Sequence, residues 1–131
     1  MWFSMERKRI VCIDLDGVLL SFRSGWLRDD VYGKVLPGAK EGLAKLVGDN
    51  WHVIVYTCRK NRKKIEEVLR GYGILKGIHY HAINRRKNSY LNAYKGKIGA
   101  DVYVDDRAIC FEGSWEKTYE RIKQFKPWEE R

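Results

Sequence analysis

The chain has 131 residues, 44% of them hydrophobic, which suits one domain with a two- or three-layer core and excludes a disordered chain. Lys and Arg number 26 against 17 Asp and Glu, and the net charge of +9 favours anionic partners: phosphates, nucleic acid or acidic proteins. No run approaches the roughly 18 apolar residues of a membrane-spanning helix, and the opening "MWFSMERKR" lacks the apolar stretch of a secretory signal. The expectation is a cytoplasmic protein with no membrane partner. Cys12, Cys58 and Cys110 are odd in number and include no C-x-x-C pair. That argues for reduced thiols in or near the core, not for a disulfide framework or a zinc site.

The pattern alternates strand and helix. "RIVCID" (9–14) is a continuous apolar run, as in a strand covered on both faces. An irregular stretch (17–36) follows, then Pro37-Gly38 and a helix, "AKEGLAKLVGD", with Ala39, Leu43, Leu46 and Val47 at helical spacing. Gly48-Asp49-Asn50 stops it. "WHVIVYT" (51–57) is the second strand, rich in β-branched and aromatic residues. "RKNRKKIEEVLRGYG" (59–73) is a helix with Ile65, Val68 and Leu69 inward and Gly71 or Gly73 as its C-cap. "IHYHAI" (78–83) is a short third strand, "SYLNAYKGKIG" (89–99) a weak helix, and "DVYVDD" (101–106) the fourth strand. A last helix, 114–125, opens on Ser114 with Lys117 where a full capping box wants an acid or amide. Pro127 ends it.

Strand–helix–strand at this spacing means βαβ units and a parallel sheet. The expected fold class is α/β, a three-layer Rossmann-like single domain over residues 1–131. Parallel strands point their C-terminal ends to one edge, and ligands bind there. The first strand ends at Asp14 with Asp16 beyond, the second at Thr57, the fourth at Asp105-Asp106. Four carboxylates in one place are costly without a cation. Oxygen ligands without clustered His or Cys suit magnesium. Lys95 or Lys97, just before the fourth strand, could add compensating charge.

These residues resemble the haloacid-dehalogenase-like phosphohydrolases. "DLDGV" looks like their first motif, "HVIVYT" their second, and "KIGADVYVDDRA" the lysine and acidic pair of the third and fourth. The resemblance covers roughly residues 8–125 and is closest to small bacterial and phage members without a cap domain. Asp-Asp-Arg and Thr57-x-Arg59 are also similar to the phosphatase domains of phage polynucleotide kinases. The resemblance implies magnesium-dependent hydrolysis of phosphomonoesters through an aspartyl-phosphate. Asp14 would be the nucleophile, and Asp16 the acid that protonates the leaving oxygen and then activates water. Asp14, Asp16 (through its backbone carbonyl), Asp105 and Asp106 would hold Mg2+. Thr57 would bind a phosphate oxygen, Lys97 would offset its charge, with Lys95 or Lys87 as alternatives, and Gly17 and Arg59 would border the substrate.

Some features have plainer readings. Asp101 starts its strand at the far end from the site and reads as a cap or turn residue. His79 and His81 share a strand face but have no third ligand nearby. "RKNRKK" (59–64) and "NRRK" (84–87) read either as solvated faces or, since they follow strands two and three, as a basic rim suited to nucleotides or nucleic-acid phosphate ends. Only 20 residues separate Asp16 from Pro37 and 39 separate Thr57 from Lys97, which leaves no space for a folded lid. The first interval can make only a small flap, whose Trp26 could pack there or stack on a base. The rival readings are a basic nucleic-acid-binding module with little turnover, and a receiver-type phosphoacceptor, whose acids come in a different order.

Overall fold

Four short parallel strands form the sheet: β1 (Ile10–Ile13), β2 (His52–Val55), β3 (Ala82–Ile83) and β4 (Val102–Val104), in the order β3-β2-β1-β4. They are taken from a computed structural model that describes residues 8–22, 31–86 and 96–131. β1 pairs on both sides, Ile13 with Val55 and with Val104. Its four residues are all buried, which is why "IVCI" carries no alternation. All strand C-termini therefore meet at one edge.

Alternation along β1 and β2 divides the core. Val11, Ile13, Val53 and Val55 face α1 (Ala39–Gly48) and α2 (Arg62–Gly71), which contribute Leu43, Ile65 and Leu69. Each such side chain stabilises the fold by roughly 1.5–3 kcal/mol when fully buried. Both crossovers step the same way across the sheet, so the right-handed rule puts both helices on that face. Ile10, Cys12 and Ile54 point to the other face and meet Tyr56, Ile98 and Ala100 from the return connection to β4. The weak helix expected over 89–99 falls mostly on 87–95, outside the described residues, and 96–99 are not helical. Among the described residues the helical layer thus covers one face.

Both sheet-packed helices end in Schellman turns. In α2 the Gly73 N–H reaches the Arg70 carbonyl and the Ile74 N–H reaches Leu69, with Gly73 at φ +80°. In α1 Asn50 takes the left-handed position at φ 70°, and the Trp51 N–H reaches Leu46. α2 starts at Arg62, three residues later than its charge run, because the Asn61 side chain accepts the Lys64 N–H at 3.0 Å.

The third strand is shorter than "IHYHAI". Residues 76–80 close a turn in which the Gly77 N–H reaches the Tyr80 carbonyl and His79 Nδ1 accepts the Leu75 N–H. Only Ala82 and Ile83 are left to pair. After β4 come α3 (Trp115–Lys123), capped by Ser114 at the Lys117 N–H, and a 3-10 turn (Trp128–Glu130) behind Pro127. The architecture is α/β with a central four-stranded parallel sheet, consistent with a Rossmann-like fold. No helix among the described residues is long and apolar enough to cross a membrane.

Candidate active site

Asp14 stands one residue beyond β1, fixed by its N–H to the Val104 carbonyl at 2.9 Å. That bond extends the β1–β4 ladder by one rung and brings Asp14 beside the two acids that follow β4. Asp14, Asp105 and Asp106 each offer a carboxylate oxygen, all within 4.8 Å of one another. Burial first, then the hydrogen bond to Asp106 and the charge of Asp105, push the Asp14 carboxyl from 3.8 up to about 8, while the Leu15 N–H on Asp14 Oδ1 (2.9 Å) opposes them. Asp105 Oδ1 accepts the Arg107 N–H at 2.7 Å. Asp106 Oδ1 is buried and has no hydrogen-bond partner among the described residues. Three hard oxygen donors, one of them orphaned, with no His or Cys among them, fit a small divalent cation.

Gly17 makes this packing possible. Its φ is +91°, and a Cβ there would stand 2.1 Å from Asp106 Oδ2. Gly17 therefore shapes the acid cluster directly and needs no contact with substrate to matter.

Asp16 turns away from the other acids. Its carboxylate takes two parallel hydrogen bonds from Arg59, Nε to Oδ2 at 2.8 Å and Nη2 to Oδ1 at 2.9 Å. The Arg59 side chain is only 4% exposed. Its Nη2 also donates to the Val31 carbonyl at 2.7 Å, and its guanidinium lies over the Tyr32 ring at 3.9 Å. This differs from the expectation that Arg59 borders substrate. Burial and the bidentate fork make it an internal tether between the loop after β2, the loop after β1 and the base of the flap.

Thr57 lies at the same sheet edge, two residues past the Val55–Ile13 pair. Its Oγ1 accepts the Arg59 N–H at 3.2 Å. The loop is held from β3 by Asn84, whose Oδ1 accepts the Thr57 N–H at 2.8 Å and whose Nδ2 donates to the Arg59 carbonyl at 3.2 Å. In the sequence Asn84 stands only as the start of a basic run. Its φ of 55° is a left-handed position that Asn adopts more readily than most residues.

Lys97 is placed differently from its expected role. Its Nζ sits over the Tyr103 ring at 4.5 Å, and among the described residues it makes no ion pair with the acids. Lys95, Lys87 and Trp26 lie outside the described residues. The basic runs split in use. Arg59 is internal, Arg62 Nε donates to the Ile83 carbonyl at 2.9 Å, and Lys60, Lys63 and Arg85 are exposed. Asp101 sits at the opposite edge, its Oδ2 accepting the Ile10 N–H at 2.7 Å. His81 Nδ1 accepts the Val53 N–H, and its ring stacks on His52, so neither His81 nor His79 is set up as a ligand. Cys12 is buried as expected; Cys58 and Cys110 are exposed, outside the core.

At the base of the flap Leu20 pairs antiparallel with Val35, and the Ser21 N–H reaches the Lys34 carbonyl at 2.8 Å; residues 23–30 are outside the described residues. The last turn of the chain straps it down. Trp128 Nε1 donates to the Gly17 carbonyl at 2.6 Å, and Glu129 accepts from Ser21 Oγ and the Phe22 N–H, each at 2.8 Å. Between strap and sheet lies an open cavity of about 360 Å³ lined by Val18, Pro37, Val104, Asp105, Asp106 and Trp128. Sequence reading missed Trp128 and Glu129 because the contacts span more than 100 residues.

No family model matches the chain, and no curated protein does. Among solved structures it is similar to a conserved protein coded by a locus of Bacteroides thetaiotaomicron, at 23% identity and a TM-score of 0.61, over 93% of this chain and 95% of that one. At that identity the likeness establishes a shared fold.

Proposed function

We propose that the protein is a magnesium-dependent phosphomonoester hydrolase of the haloacid-dehalogenase-like type, without a cap domain, acting through a phosphoryl group carried on Asp14. The observation that supports this most is the acid cluster. A carboxyl pushed up to about 8 is mostly protonated at neutral pH and a poor nucleophile. A cation shared with Asp105 and Asp106 would return it to the ionised form. Asp14, Asp105, Asp106 and the Asp16 carbonyl would hold magnesium, which supplies charge that offsets the phosphate and the leaving oxygen.

An Asp14 oxygen attacks phosphorus, the bond to the leaving oxygen breaks, and that oxygen takes a proton from Asp16. Water then attacks the same phosphorus, Asp16 takes its proton, and the Asp14–phosphorus bond breaks to release phosphate. To carry the proton, Asp16 gives up one of its two hydrogen bonds from Arg59. Thr57 donates to a phosphate oxygen. The phosphate-facing cation is assigned to Lys97 only if its side chain leaves Tyr103; Lys95 and Lys87 are the alternatives. The 20 residues between Asp16 and Pro37 leave no space for a folded lid, which suits nucleotides and nucleic-acid phosphate ends approached across exposed Lys60, Lys63 and Arg85.

Phosphate release from an aryl phosphate tests the reading. It should require magnesium, stop with EDTA and fall at least about a thousandfold in Asp14→Asn. Activity that survives Asp14→Asn contradicts it. Salt-sensitive binding of an oligonucleotide, with no turnover of any phosphate ester, favours the binding-module alternative.

A further inference from the structure

Among the described residues, one stripe of α3 exposes three large apolar side chains. Trp115, Tyr119 and Ile122 are 71%, 59% and 54% exposed. At 100° per residue they fall within about 60° of one another. Phe111, 52% exposed, extends the stripe, its ring 5.5 Å from that of Trp115. The one residue that α3 buries is Thr118. Single exposed apolar residues need no explanation, but an aligned aromatic stripe marks an interaction surface.

The charges beside the stripe indicate what covers it. Glu116 and Lys123 fall within about 20° of each other on the same flank, one at each end of α3. They are seven residues, or about 10 Å, apart along the axis. When two helices pack antiparallel, equivalent flanks meet. A twofold axis near Tyr119 then puts Glu116 of one copy opposite Lys123 of the other, twice. The same axis puts Trp115 opposite Ile122 and Tyr119 opposite its own copy. Apolar and charged positions thus share one centre of symmetry, as a self-complementary surface must. Lys123 already contacts Glu120 at 3.2 Å and the Tyr119 ring at 5.2 Å, but these are exposed contacts that cost little to exchange.

We infer that α3 is a homodimer surface, pairing antiparallel with α3 of a second copy through Trp115, Tyr119 and Ile122. The inference is independent of the activity proposed above. A single short helix pair is a small interface, so the dimer is weak and concentration-dependent.

Analytical ultracentrifugation over a concentration series tests it, on the unliganded full chain. The expected result is a reversible monomer–dimer equilibrium. Trp115→Ala should raise the dissociation constant at least about tenfold. Glu116→Lys and Lys123→Glu should each weaken association, and the double variant Glu116→Lys/Lys123→Glu should recover it, since the pairing is swapped and intact. All three substitutions are at exposed positions, and circular dichroism matched to the parent confirms the fold. A monomer at every concentration overturns the inference. So does a dimer indifferent to Trp115→Ala, or a double variant no better than the singles.

Discussion

Arg59 and Asp16, 43 residues apart in sequence, meet through two parallel hydrogen bonds of 2.8 and 2.9 Å in the interior of the loop cluster above the sheet. The pair links the turn that follows the first strand to the turn that follows the second. The Arg59 guanidinium is held above its ordinary value by Asp16 and Tyr32, against the opposing effect of burial. The charge is therefore structural as well as local to the chemistry.

Removing one partner leaves the other charge buried and unpaired. Arg59→Ala should cost roughly 3–5 kcal/mol of unfolding free energy. Asp16→Ala added to it should cost much less than the sum of the two single changes, because they share one interaction. Urea unfolding of the three variants measures this. Strict additivity would show that the pair contributes no coupling.

The acid cluster makes stability depend on pH in a definite direction. Asp14 titrates at 3.8 ordinarily and near 8 in the metal-free fold. The native state therefore binds this proton more tightly than the unfolded state. The contribution is complete below about 4 and is lost as pH rises through about 8. Thermal melting of metal-free protein should show a downward slope over that window that Asp14→Asn removes. Magnesium should raise the melting temperature most at the alkaline end, where the site is ionised. A magnesium shift equal at pH 5 and pH 8.5 would contradict the assignment.

Thiol chemistry separates the three cysteines. Cys12 is 1% exposed, and its thiol is pushed up to about 11, chiefly by burial. Cys58 and Cys110 are exposed. An aromatic disulfide reagent should titrate two thiols quickly in the native protein and the third only on unfolding. Rapid reaction of all three would show that the second sheet face is open.

The strands, the order of the elements and the edge that gathers the acids were legible because they follow from local pattern. The β1 run is apolar since it pairs on both sides, and its acids come where the pairing stops. What could not be read depends on distant contacts. Arg59 looked like the first residue of an exposed basic run, and only the position of Asp16 and Val31 turns it inward. Lys97 is next to the right strand, yet Tyr103 takes its ammonium group. Asn84, Trp128 and Glu129 have ordinary types in ordinary places, and their roles come from partners brought near by the completed sheet. The third strand was overextended because a buried Tyr80 fits a turn as well as a strand.

The central claim is that Asp14 carries the phosphoryl group. The most direct measurement is acid-quenched intact-protein and peptide mass spectrometry after brief exposure to an aryl phosphate and magnesium. The account predicts one phosphoryl adduct on the peptide containing Asp14, labile to hydroxylamine, absent with EDTA and absent in Asp14→Asn. An adduct on any other residue, or phosphate release at the parent rate by Asp14→Asn, would contradict it.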